Sequence, residues 1–549
     1  MNQPNESPLL QIIPKEQLSQ RQKALLPKKA FSLLYKLLRE PDSLDDFDSN
    51  QKVAIWRENK TIFVWNWGNE ISESYRGRHF CFTLKGFAEV DCAIYGEKDS
   101  AIAETFTYFG SLQHAPRTKT PLLRFCSDNE RNFRFGALQA EQLAHILDSN
   151  PTRRIEISAP IDAEQARVLA TRPYPLNLHF FGYGFAFRDR GTAFVEALED
   201  RESAFGSLSI FCGREDDSMS NINLTRLLKL ENVFEKLGIC APSEECVLHP
   251  FCAKVEVLDY RFYAWYMYPE FFNSLNIVAK DLTLKVLVRG YDVEWDDLLV
   301  SFLNRVAVLG HLERLSISLP FLSEENDLTE FMEFFDYSDM FPVVEALIRA
   351  IHGNPKLSSL DLADGDSYLQ WGPHMKSIFK AVEKHPSLRT LAVQSYGNGD
   401  NAESDALIGV NDDFVKKHCF YPSWLERLLS RNRNIVVVDE SGNKCTNGST
   451  IDEAYALNGC YNGSVRLVNE STALRPLLVT SALTRSASTN YQHTALLLSH
   501  NVDTLCEILH AVDFEDALFA ATIFLEANQR RTSKRKTRVQ PARAAKRAA

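Results

Sequence analysis

Cys240, Cys246, His249 and Cys252 lie close together in the chain and are residue types that hold zinc. Structural zinc sites normally use a tight Cys-x₂₋₄-Cys knuckle and a distant second pair. This spacing is a poor match. The four are therefore read as buried groups in an apolar stretch, where free cysteine usually sits. Asp361, Asp364 and Asp366 offer oxygens to a hard cation but lack EF-hand spacing, and are read as a strand end and its loop. Gly182-Tyr183-Gly184 has no third glycine and no helix behind it, so it is a turn rather than a dinucleotide loop. The chain has no Walker-type loop, no G-x-S-x-G elbow and no H-E-x-x-H. No catalytic residue, cofactor or metal is assigned, and a non-enzymatic role is expected. An enzyme whose site is assembled from scattered residues is the reading such motifs cannot detect.

What remains is a set of polar residues spaced between leucines. Leu312-Glu313-Arg314-Leu315-Ser316-Ile317, Leu357-Ser358-Ser359-Leu360-Asp361-Leu362 and Leu388-Arg389-Thr390-Leu391-Ala392-Val393 share the form L-x-x-L-x-L. Each follows a helical stretch that ends in a polar residue, as in Asn354-Pro355 and His385-Pro386. Proline stops the helix because it lacks an N–H and restrains the residue before it. The L-x-L that follows reads as a short strand with one buried face. A helix–strand unit this small cannot cover its own apolar side. Stacked copies can, with strands in a parallel sheet and helices outside. Further copies are expected at Ile155, Leu176, Leu208, Leu237 and Val286, with another at Val255-Glu256-Val257. Ser323–Asp339 holds seven acids and no base and reads as a surface insertion.

The phrase resembles leucine-rich-repeat proteins of the ribonuclease-inhibitor-like type. The wording of Ala163–Leu176, Gly191–Leu198 and Phe205–Leu208 is similar to divergent repeat proteins common in diatoms. The resemblance covers about residues 121–440. It implies an irregular leucine-rich-repeat solenoid, a curved parallel sheet with outer helices, and a role in protein binding. One departure stands out. The family's Asn or Cys two residues after L-x-L is replaced by Pro320, Gly365 and Tyr396.

The chain has 549 residues, 45% hydrophobic and 24% charged, enough for a large core. No apolar run approaches the roughly 18 residues of a membrane span, and no secretory signal is visible. Eleven cysteines, an odd number, point to reduced thiols in an intracellular compartment, cytoplasmic or nuclear. The net charge is −11, yet Gln529–Ala549 carries nine bases and no acid, so the rest carries −20. An acidic body repels polyphosphate, which leaves only weak, non-specific nucleic-acid contact by the tail. Arg530, Arg531, Lys534, Arg535, Lys536 and Arg538 form a nuclear-import candidate.

The expected organisation is α/β. Residues 1–24 are a flexible arm and 25–120 a mixed α/β region. Residues 121–440 are the degenerate repeat array. Residues 441–528 are a loop and helical cap, and 529–549 a disordered basic tail. A helix is expected near Lys29–Arg39. Leu26-Pro27 with the leucines after it faintly resembles an F-box, which implies an alternative role as a ubiquitin-ligase adaptor docking through residues 25–60. The aromatics of Phe180–Phe187 and Phe262–Phe272 are expected to pack in the core. The leading expectation is a scaffold that binds another protein, of unknown identity, through the exposed residues between the leucines: Glu313, Arg314, Ser316, Ser359, Asp361, Arg389 and Thr390.

Overall fold

The structure, a computed structural model, describes residues 9–25, 33–47, 51–66, 78–86, 88–114, 118, 120–126, 132–182, 184–212, 219–241, 243–288, 295–320, 340–364, 367, 369–394, 422–468, 475–486 and 491–511. Described residues up to 381, with 385–394 and 437–443, form one compact unit. Residues 382–384, 422–436 and those from 444 onward form a second.

The prolines act as the sequence reading assigns. The helix Met340–Gly353 stops before Asn354-Pro355, and the strand Ser359–Leu362 begins four residues after the proline. The strands, in chain order, are β1 (Leu10–Ile13), β2 (Leu34–Leu37), β3 (Val53–Trp56), β4 (Ile62–Trp65), β5 (Arg78–Lys85), β6 (Glu89–Gly96), β7 (Leu122–Cys126), β8 (Arg154–Ser158), β9 (Pro160–Ile161), β10 (Leu176–Gly182), β11 (Ala186–Phe187), β12 (Gly206–Cys212), β13 (Phe234–Cys240), β14 (Val257–Tyr263), β15 (Asp281–Leu287), β16 (Arg314–Ser318), β17 (Ser359–Leu362), β18 (Thr390–Val393) and β19 (Val436–Val438). Seventeen of them share one sheet, while β9 and β11 pair separately. From β7 through β8, β10 and β12 to β18 every neighbouring pair is parallel.

Ile155, Leu178, Leu208, Leu237, Leu258, Leu282, Leu315, Leu360 and Leu391 occupy one register line across the nine strands that run from β8 to β18. None is more than 2% exposed. Burying each contributes about 2 kcal/mol. The repeat period is loose, from 21 residues (Leu237 to Leu258) to 45 (Leu315 to Leu360). Two expected positions are off register: Leu176 lies level with Gly206, and Val286 with Phe262. Both are inward-facing apolar residues of the right strand, and period-2 alternation alone does not fix register. The copy expected at Val255-Glu256-Val257 starts at Val257 and buries Leu258, Tyr260 and Phe262 instead. Consecutive helices of the array pack on one another, Ala140–Ser149 on Ala163–Ala170, that on Thr192–Glu199, and Trp295–Leu309 on Met340–Gly353. At this last contact a Cβ on Gly353 would sit 2.3 Å from the Ala307 carbonyl oxygen, so glycine sets how closely the helices approach.

Polar side chains just ahead of the strands close the ends of the helices. Asn354 is 1% exposed. Its Nδ2 donates to the Val306 and Ala350 carbonyls at 3.0 and 2.8 Å, and its Oδ1 accepts from the Leu312 amide at 3.0 Å. The side chain thus closes the C-terminus of its own helix and of the preceding copy's helix. His385 repeats the device one copy later, with Nε2 3.1 Å from the Asn354 carbonyl oxygen and Nδ1 accepting from the Leu388 amide at 3.0 Å. Earlier in the array, Arg153 donates to the Gly110 and Leu112 carbonyls, and Arg201 to those of Ala170 and Tyr174. The Asn-Pro and His-Pro phrases in the sequence are therefore capping residues followed by stops.

Ahead of the array, β3, β4, β6, β5 and β7 form antiparallel pairs, β2 runs parallel to β3, and β1 antiparallel to β2. β7 is the turning point, antiparallel to β5 and parallel to β8. The helix Asp99–Gly110 covers one side through Phe106, which meets Phe80, Phe82 and Phe125 edge-on. On the other side Leu25, Leu34, Ala93 and Tyr95 form a cluster with Ile13, Leu18 and Cys81. Two expectations are corrected here. The helix expected near Lys29–Arg39 is strand β2 over Leu34–Leu37, because β1 supplies an edge to pair with and a short apolar run fits either period. In the segment expected to be a flexible arm, the described residues form β1 and the helix Gln20–Leu25, which pack against Tyr95 and Ala93. Among the described residues of 25–60 the regular elements are β2, β3 and a short 3₁₀ turn at Leu44–Asp46, not the helices an F-box would supply.

In the second unit the helix Pro422–Arg431 is followed by Thr450–Val468, Arg475–Ser486, Tyr491–His500 and Val502–Ala511. The end of the expected helical cap, the basic tail with its import candidate, and the acidic insertion Ser323–Asp339 lie outside the described residues.

Candidate sheet-face binding site

Alternation sends every second residue of the parallel strands away from the helices. Three rows result. Arg154, Asn177, Ser207, Lys236, Val257, Asp281, Arg314, Ser359 and Thr390 are level with one another. Two residues on run Arg124, Glu156, His179, Ser209, Gly238, Asp259, Thr283, Ser316, Asp361 and Ala392. The third row includes Phe211, Arg261, Lys285 and Ser318. Most are half-buried, flanked by neighbours on the adjacent strands but not covered by helices.

The residues expected from sequence fall on this face and along its lower margin. Arg314, Ser359 and Thr390 are one row, and Ser316 and Asp361 are adjacent in the next. Glu313, Ser358 and Arg389 precede the strands, joined by backbone hydrogen bonds from Ser358 N to Glu313 O and from Arg389 N to Ser358 O. The chemistry of the set is uneven. Arg314 is well exposed and stands 3.6 Å from Asp281. Asp361 is engaged internally, accepting from Ser316 Oγ at 3.3 Å and from the Ala363 amide at 3.0 Å. Arg389 folds back on its own turn, towards the Pro386 and Leu388 carbonyls.

Two clusters on the same face were not anticipated from sequence. In the first, Glu156 is 7% exposed at its side chain and receives Arg124 Nε at 2.6 Å and Arg154 Nη2 at 2.7 Å. Burial pushes its carboxyl up, but the neighbouring His179 ring and the two arginines outweigh that and hold it at about 2. His179 Nδ1 lies 3.1 Å from Arg154 Nη2, while its Nε2 is buried with no hydrogen-bond partner. In the second, the Arg261 guanidinium lies flat on the Phe211 ring, 3.6 Å from its centroid. Phe211 reaches there because Gly238 has no side chain: a Cβ would meet the ring at 2.8 Å. Asp259 Oδ1 stands 3.7 Å from Arg261 Nε, beyond hydrogen-bond length, and neither atom has a partner. Lys285, level with Arg261, contacts Asp364 at 2.5 Å. The signal for both clusters was present in strings such as Leu258-Asp259-Tyr260-Arg261-Phe262, whose polar members alternate with buried residues.

The cysteine–histidine cluster is dispersed. Cys246 is buried, Cys252 is exposed and directs its thiol at the Asn276 carbonyl, and burial pushes Cys240 up to about 11. Among the described residues no group of three or more His, Cys, Asp or Glu is placed to hold a metal ion. The aromatics divide: Phe180, Phe185, Phe187, Phe262 and Phe272 are buried, while Phe181, Trp265 and Tyr266 are half-exposed and Tyr268 is exposed. No described helix is long and apolar enough to cross a membrane. No protein-family description matches the chain, and neither does any curated protein.

Proposed function

We propose that this chain is a leucine-rich-repeat-type solenoid that binds another protein through the side-chain rows of its parallel sheet. The observation that supports it most is the division of the two faces. One carries a continuous apolar line capped by helices, and the other carries level rows of mixed charge in which polar atoms of His179, Asp259 and Arg261 make no hydrogen bond. An unpaired polar atom at a half-buried site costs stability, and a partner's groups would recover that cost. Arg261 is held in place by Phe211 before any partner arrives, so little is lost in ordering it.

Affinity purification of the full chain from cells, read by mass spectrometry, identifies the partner. A face variant, Arg261→Glu with Arg314→Glu, is compared with a helix-side variant, Arg349→Glu with Lys356→Glu, both verified as folded. The partner is expected to be lost from the first and kept by the second. Retention by the folded face variant refutes the reading.

A further inference from the structure

Cys81 of β5 and Cys126 of β7 stand directly opposite each other in an antiparallel pair. Both leave the sheet on the same side, because the intervening Phe80, Phe82 and Phe125 are buried on the helix side. Neither cysteine is in a disulfide, and both are half-buried. Directly opposed residues of an antiparallel pair have Cα atoms about 4.5–5.5 Å apart. Disulfides span Cα separations of about 4.4–6.8 Å. The backbone therefore already holds the two cysteines at bonding distance. Cys92 is also close in sequence, but it is level with Phe82 and faces the helix side of the sheet.

We propose that Cys81 and Cys126 form a reversible thiol–disulfide site, closed by a small-molecule disulfide of the glutathione type. In the first step the Cys126 thiolate attacks one sulfur of the small disulfide, forms a mixed disulfide and expels one small thiolate. In the second, Cys81, deprotonated as it reacts, attacks the Cys126 sulfur and expels the other. Two protein thiols become one disulfide, and one small disulfide becomes two small thiols. Cys126 takes the first step because burial pushes Cys81 up to about 12, so Cys81 reacts only with a sulfur already brought beside it. The location gives the bond a consequence. β7 is the strand at which the antiparallel block meets the parallel array, so closure fastens that seam covalently.

The test uses the full reduced chain incubated with oxidised glutathione, then alkylated, digested and read by mass spectrometry. The expected product is a Cys81–Cys126 cross-linked peptide, two hydrogens lighter than its reduced parts and reopened by excess reduced glutathione. Cys81→Ser is expected to accumulate glutathione at Cys126, and Cys126→Ser to leave Cys81 unmodified. Amide exchange across β5 and β7 slows on closure. Full alkylation of both thiols after oxidation of the folded wild-type chain overturns the proposal, as does a bridge from either cysteine to Cys92.

Discussion

Asn354→Ala removes a carboxamide that makes three hydrogen bonds at a 1%-exposed position. The Val306 carbonyl keeps the Gly310 amide, 3.2 Å away. The Leu312 amide loses its acceptor and remains buried, at a cost of about 1–3 kcal/mol. The donors to Val306 and Ala350 contribute about 1 kcal/mol each. The expected loss is about 3–5 kcal/mol, a large part of the 5–15 kcal/mol typical of a native protein. With an m-value of about 3 kcal/mol/M, the urea midpoint falls by roughly 1–1.7 M. Asn354→Asp keeps the acceptor but buries a charge, and is expected to lose at least as much. Asn304→Ala removes only the exposed contact with Arg349 and changes stability by no more than about 0.5 kcal/mol. The readouts are urea denaturation and amide exchange at Leu312 and along β16 and β17. A loss below about 1 kcal/mol with unchanged exchange at Leu312 would refute the idea that this side chain couples neighbouring copies.

Acid should weaken the fold in two stages. Burial lowers His385 and His374 and takes His114 down to about 3, so the unfolded chain binds protons the folded one does not. Stability is complete above about pH 7 and erodes as pH falls through the ordinary histidine value near 6.5. Glu156, held at about 2, adds a further loss as pH falls below about 4.5. A urea midpoint that does not fall between pH 7.5 and pH 5 counts against this. Gly353→Ala drives a Cβ into the Ala307 carbonyl and should cost at least about 2 kcal/mol, measured by the same midpoint, whereas Gly442→Ala meets nothing within 4 Å and pays only for its left-handed backbone. Glu156→Gln leaves Arg154 without its charged partner and Arg124 with Glu89, and should cost about 1–2 kcal/mol and speed exchange along β8.

The helix–proline–strand phrase was legible because it is local: Asn354-Pro355 and His385-Pro386 both stop a helix, and the leucines after them lie on one line. Register was less legible, since Leu176 and Leu178 are equally apolar and only the neighbouring strand decides which is level with Leu208. β2 was read as a helix because its partner, β1, lies in a segment too polar to suggest a strand. Of the residues expected to form a docking face, Arg314 and Asp361 lie on the sheet, while Arg389 precedes β18 and folds back on its own turn. Arg261 and Phe211 were missed because their contact depends on Gly238 of the strand between them, a coincidence no local pattern records.

The capping arrangement has a direction. Arg153, Arg201, Asn354 and His385 each satisfy carbonyls that come earlier in the chain. During synthesis, then, the segments closed by these four side chains still have open carbonyls until the following unit emerges. Removing the chain from any of the four residues onward leaves its carbonyls unclosed, whereas trimming from the opposite side takes away the carbonyls that were being served.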